Sequence, residues 1–237
     1  MTVTAAAAPP SAAHAPAPGI RGVGVITGWG EGVGVLPAEA PAGAAGVVPV
    51  PTPALGGDRF RRATRECVLA VAAAKAAVAD AGLSEAEISG PGTGILYVSA
   101  TGYAAANRAF LEDETSTTLH FPYTSPSAVP GEVTIELGVR GPYVNLMGGG
   151  PSTLHALGWA ASWLAEGRAD RLLVLAVEAF HDVRDLFGRA RRLYAGPLVE
   201  GAACLVLAPG SGAPGAVRWA SALAGPSGGG RTVSTVL

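Results

Sequence analysis

Between Val139 and Leu164 the chain reads VRGPYVNLMGGGPSTLHALGWAASWL. An apolar run from Tyr143 to Met147 reads as a strand. It enters the glycine turn Gly148-Gly149-Gly150, and Pro151 follows at a residue suited to the first turn of a helix, which continues to about Glu166. A strand delivered through a sharp turn straight into a helix leaves few architectures open. The turn presents one residue at a helix N-terminus, where the dipole and the free N–H groups stabilise an anion or a thiolate.

The surrounding pattern extends this unit. Gly22 to Thr27, Ile95 to Ser99, Arg171 to Val177, Ala202 to Ala208 and Val217 to Leu223 read as strands, several of them almost continuously apolar. A helix is expected from about Arg59 to Ala81, with Asp58 as N-cap and Gly82 just past its end. Val68, Val71, Ala72, Lys75 and Val78 give it one apolar face, interrupted only by a snorkelling lysine. A second helix, Tyr103 to Glu112, projects Tyr103, Ala106 and Phe110 to one side at spacings of three and four. Pro122, Pro126 and Pro130 break up the next stretch, and Thr134 to Leu137 is compatible with helix. Strands alternating with helices imply an α/β sandwich whose mixed sheet is covered by helices on both faces. Residues 1–19 read as a disordered Ala/Pro tail, 28–57 as a long irregular connection, and 226–237 as a flexible Gly/Ser-rich tail. No internal repeat is found.

Composition narrows the function. Hydrophobic residues make up 49% of the 237 and charged residues 14%, a balance that usually hides apolar surface against a partner. A net charge of -2 gives no electrostatic case for nucleic acid or an acidic membrane. No run of apolar residues is long enough to span a bilayer, and the N-terminus lacks the basic and continuous apolar regions of a signal peptide. Cys67 and Cys204 lie alone in apolar segments and read as buried thiols in a reducing cytoplasm. His14, His120, His155 and His181 are scattered, and no Cys/His cluster has metal-ligand spacing.

The stretch from Val139 to Leu164 resembles the nucleophile turn of the ketosynthases of the thiolase superfamily. Gly141-Pro142 matches the pair ahead of the strand, Ser152, Thr153 and Leu154 match the Ser-Ser-Leu after the cysteine, and Ala156-Leu157 matches the Ala-Leu that follows. Ala77 to Leu83, Glu166 to Asp170, and Glu200 to Ala203 with Leu205 to Leu207 are further matches in the right order, together covering about Gly22 to Leu223. The resemblance implies a thiolase-like fold, the N-terminal half only, over a domain of residues 20–225. The position of the cysteine falls on Gly150, so no catalytic residue is expected, and on this resemblance the two histidines of the family, which lie in its second half, are not expected among these residues.

Within that family the chain is similar to the chain-length factors. Ala156-Leu157-Gly158 after the glycines, and Ala100-Thr101-Gly102 followed by two aromatics seven residues apart, carry the likeness. Gly150 in place of the glutamine common there is a departure. The likeness implies that Tyr103, Ala106 and Phe110 line the buried end of an acyl tunnel and that Met147, Gly148, Gly149 and Gly150 form an interface turn. It implies a ketosynthase subunit as partner, in a heterodimer or a pair of heterodimers, and an acyl carrier protein as a transient one. It also implies no cofactor of this chain's own, the carrier's phosphopantetheine arm entering the partner subunit, and a product in the polyene or aryl polyene class.

Other readings stand beside these. Tyr103 and Phe110 also suit a plain core. Ser152 invites comparison with a nucleophile elbow, but Gly150-Pro151-Ser152-Thr153-Leu154 lacks the final glycine of GxSxG. A stand-alone acyltransferase or divergent ketosynthase would need Ser152 or Cys204, and a thiolate inside an apolar strand is disfavoured by desolvation. His155 suits a helix surface or a core better than a base. Gly28, Gly30, Gly32 and Gly34 do not have GxGxxG spacing. Arg189, Arg191 and Arg192 form either a solvated face or a docking patch for an acidic partner.

Overall fold

The computed structural model describes residues 18–38, 46–112, 120–149, 151–188 and 197–210. The strands are β1 (Pro18–Thr27), β2 (Gly30–Glu31), β3 (Val47–Val48), β4 (Thr93–Ser99), β5 (Tyr143–Met147), β6 (Arg171–Glu178), β7 (Leu198–Val199) and β8 (Gly201–Pro209). The helices are α1 (Arg65–Asp80), α2 (Glu85–Ile88), α3 (Ala104–Glu112), α4 (Ala128–Leu137), α5 (Pro151–Ala165) and α6 (Arg184–Gly188). Six strands form a mixed sheet in the order β2-β1-β8-β6-β4-β5, and β3 pairs with β7 in a small second sheet. β4, β5 and β6 are mutually parallel, while β8 runs antiparallel to both β1 and β6.

Two apolar layers sandwich the sheet. On one face α1 and α4 cover Ile95, Tyr97, Leu173, Leu175, Cys204 and Val206. On the other, α5 covers Leu96, Val98, Leu172, Val174, Leu205 and Leu207 with Ala156, Leu157, Ala160 and Leu164. Successive residues of β4 and β6 therefore face opposite layers, which is why those strands read as unbroken apolar runs.

The approach of α1 to β1 is unusually close. A Cβ on Gly22 or Gly24 would overlap the carbonyl oxygens of Ala77 and Ala73, respectively. The alanine-rich helix and the glycine-bearing strand thus need one another. Asp80, in the last turn of α1, accepts a hydrogen bond from the Val23 N–H at 2.8 Å. A buried Glu200 ties further elements to this frame. Its carboxylate accepts from Val50 N at 3.1 Å and Phe180 N at 2.9 Å and pairs with Arg65 at 2.6 Å.

Several expectations need correction. β1 begins at Pro18, so the last two residues of the expected tail belong to the sheet. α1 starts at Arg65, because the Thr64 side chain, not Asp58, accepts the capping bond, from Cys67 N. Asp58–Arg61 is a separate 3-10 turn. The connection 28–57 is not wholly irregular, since it contributes β2 and β3. α4 extends back to Ala128, with Pro130 tolerated in its first turn. α2 was not expected, although Ser84 and Glu87 form the capping box that S-x-x-E spells. Gly82 ends α1 as expected, at a φ of 65°, with Leu83 N bonded to Val78 O and Gly82 N to Ala79 O in a Schellman motif. Residues 1–17, the strand expected at Val217 to Leu223, the tail 226–237, the arginines 189, 191 and 192, and Gly150 lie outside the described residues.

Candidate functional site

The C-terminal ends of the parallel strands β4, β5 and β6 bring Ser99, Met147 and Glu178 to one edge of the sheet. β5 hands the chain to α5 and α5 returns it to β6, on the other side of β4. In open α/β sheets this end of the strands is where ligands are received.

The turn after β4 carries the expected tunnel residues. Gly102 adopts a left-handed φ of 59°, and its N–H donates to Ser99 Oγ at 2.7 Å. Ala104 N donates to Thr101 O at 3.1 Å and Asn107 N to Tyr103 O at 3.0 Å, which launches α3. Tyr103 is exposed, Ala106 and Phe110 are half-buried, and α3 buries none of its residues. Phe110 packs edge-on against Phe121, with ring centroids 6.0 Å apart and planes at 61°.

The expected interface turn touches this one. Gly148 N donates to Ser99 O at 2.9 Å, and Met147 Sδ lies 3.2 Å from where a Cβ on Gly102 would stand. Ser152 N donates to Gly149 O at 2.8 Å as α5 begins. Met147, Gly148 and Gly149 are therefore gathered with the turn that leads into Tyr103, while Gly150 lies outside the described residues. Among the described residues, β5 pairs with β4 alone and forms the sheet edge, with Tyr143 57% and Met147 42% exposed.

Sequence reading missed the groups that hold this site together. Glu178, the last residue of β6, accepts from Ala100 N at 2.5 Å, Thr101 N at 2.9 Å and Thr101 Oγ1 at 3.0 Å. Ser99 Oγ donates to it at 3.4 Å. Burial pushes its carboxyl above the ordinary carboxylate value, against the pull of these donors. Arg108 of α3 makes a two-pronged pair with Asp185, at 2.6 and 2.8 Å, and donates to Asp182 O at 2.9 Å. That pairing holds the Asp185 carboxyl down at about 2. The available signal was a lone acid ending an apolar strand.

The nucleophile alternatives are poorly placed. Burial pushes the Cys204 thiol up to about 12, and Cys67 likewise. His155 is exposed on α5, and among the described residues no hydrogen bond joins Ser152 to a histidine. No group of acids, histidines and cysteines among the described residues could hold a metal.

The family model of the β-ketoacyl synthase N-terminal domain matches residues 52–194, more than half of the chain. The chain belongs to the β-ketoacyl synthase family. No curated protein matches it. Among solved structures, the ishigamide ketosynthase/chain length factor is similar at 21% identity and a TM-score of 0.67, over 84% of this chain and 64% of its own length. A β-ketoacyl synthase from Burkholderia phymatum is similar at 23% identity and a TM-score of 0.66, over 82% of this chain and 59% of its own. A ketosynthase in complex with its chain length factor, from Xenorhabdus doucetiae, gives 17% identity and a TM-score of 0.60, over 83% and 80%. The chain thus spans less than two thirds of the first two. The fold is the thiolase-like ketosynthase fold expected from the sequence. No helix among the described residues is long and apolar enough to cross a membrane.

Proposed function

We propose that this chain is a non-catalytic, chain-length-factor-like subunit that pairs with a ketosynthase in the cytoplasm and shapes the acyl tunnel of a type II polyketide or polyene system. The observation that carries this reading is α3. It starts beside the strand–helix junction of the family's nucleophile turn, follows directly on Tyr103, carries Ala106 and Phe110, and buries none of its own residues. Such a helix suits a wall completed by another chain. The sheet edge at β5, with Tyr143 and Met147 exposed, suits the same partner. Glycine at residue 150 cannot act as a nucleophile, which supports leaving the condensation to the ketosynthase. The ketosynthase would also receive the phosphopantetheine arm of the carrier protein, and this chain would need no cofactor.

A growing acyl chain stops where further extension must overlap filled volume, at about 1 to 3 kcal/mol of overpacking. That is roughly a tenfold or greater penalty per extension. Phe110→Ala is expected to lengthen the dominant carrier-bound product of the reconstituted pair, and Ala106→Phe to shorten it, both read by mass spectrometry. Parent product lengths in both variants would refute the tunnel assignment. The alternative, a divergent stand-alone acyltransferase or ketosynthase, requires an acyl adduct on Ser152 or Cys204. Intact-mass analysis of the isolated chain with an acyl donor separates the two, and we expect no adduct.

A further inference from the structure

We propose that Glu178 is the positioning residue for α3. It clamps the turn Ser99–Gly102 from the neighbouring strand and so fixes where Tyr103, Ala106 and Phe110 stand. The amides of the turn make the case. Gly102 N and Ala104 N find acceptors within the turn itself, but Ala100 N and Thr101 N, two successive donors, both end on the Glu178 carboxylate. Thr101 Oγ1 and Ser99 Oγ donate to the same carboxylate, so four donors converge on two oxygens. Carboxylate acceptors make shorter and stronger bonds than neutral ones.

Packing does not supply a substitute. α3 buries no residue; outside this clamp the described residues that hold it include Arg108, paired with Asp185 and bonded to Asp182 O, and Phe110 in its ring contact with Phe121. The ion pair is two-pronged but lies at the surface, where water and salt screen it. The placement of the helix therefore rests on its N-terminal turn, and the turn rests on Glu178. A glutamine there keeps the shape but offers one acceptor oxygen, and its amide group faces N–H donors it cannot accept from.

The consequence for product length rests on the proposed tunnel reading; the clamp itself does not. The full chain carrying Glu178→Gln is compared with the parent by hydrogen exchange. Amides of Ala100 and Thr101 are expected to exchange about tenfold faster or more, while those of Leu172 to Val177 keep the parent rate. Thr101→Val, which removes only the hydroxyl donor, is expected to move the same amides in the same direction by less. It also answers the question if the glutamine variant fails to fold. With the ketosynthase, Glu178→Gln is expected to give a broadened product distribution from a complex of parent stoichiometry. Parent exchange at Ala100 and Thr101 would overturn the proposal, as would loss of protection across the whole sheet in both variants. Faster local exchange with an unchanged product distribution upholds the clamp and counts against the tunnel reading instead.

Discussion

Substituting Gly24 by alanine tests whether the packing of α1 dictates the glycines of β1. A Cβ at residue 24 would overlap Ala73 O, stand 2.6 Å from Ala77 N and 3.0 Å from the Ala76 Cβ. The first two are backbone atoms, which cannot rotate away. To restore ordinary contact of about 3.5 Å or more, α1 would have to retreat by roughly 1 to 1.5 Å. That retreat would loosen Leu69, Ala70, Ala73, Ala74 and Ala77, all fully buried. A gap of that size forfeits a quarter to a half of each lost dispersion contact. Together with overpacking of about 1 to 3 kcal/mol, the expected cost is about 3 kcal/mol or more. At about 2 to 4 °C per kcal/mol, the midpoint should fall by roughly 6 to 12 °C. Gly131→Ala is the matched control. Gly131 lies inside α4 with nothing within 4 Å of an added Cβ, so alanine there should stabilise by about 0.5 to 1 kcal/mol. Urea and thermal denaturation of both variants read the difference. If Gly24→Ala unfolds within 1 kcal/mol of the parent, α1 is free to slide, and the close approach is not what requires glycine.

Two further outcomes follow from buried groups. Glu200→Gln should destabilise by about 3 kcal/mol or more in the same assays, because it leaves the Arg65 guanidinium without its counter-charge; a loss under 1 kcal/mol would show the pair to be dispensable. With both thiols pushed up to about 12 by burial, alkylation at pH 8 should leave the native chain unmodified and add two adducts in denaturant; rapid native labelling of Cys204 would contradict its burial.

Much of the fold was legible because its signals are local. β5, the turn after it and α5 follow from one apolar run, a glycine triplet and a proline, and their limits agree with the reading to within a residue. The start of α1 was misplaced because Asp58 and Thr64 are both competent caps, and only the geometry of the Cys67 N–H chooses between them. β3 and β7 were missed because two residues carry no periodicity; they pair only because the chain returns Leu198 and Val199 beside Val47 and Val48. At the site, the aromatic spacing of α3 was legible, but its lack of burial was not, since amphipathic spacing reads the same whether or not a partner covers it. Glu178 could not be found from its neighbours in sequence. The donors it serves are 77 to 79 residues away, brought together by the parallel pairing of β4 and β6.

The same separation bears on how a tunnel wall could change without loss of the fold. The residues that hold the sheet together are Gly24 against α1, Glu200 with Arg65, and the buried faces of β4 and β6. None of them lies on α3. Phe110 is half-buried, so its truncation removes less than the 3 to 5 kcal/mol typical of a fully buried phenylalanine. A substitution at Ala106 meets no closed core on its own helix. On the proposed reading, wall residues can then be exchanged at a small cost in stability, provided the clamp at Glu178 keeps the helix in place. On that reading specificity lies on a helix that buries none of its residues, and stability lies elsewhere. A change in product length caused by Phe110→Ala or Ala106→Phe would therefore report the shape of the wall and not a failing fold, and the denaturation midpoint of each variant, expected to stay near that of the parent, checks that premise directly.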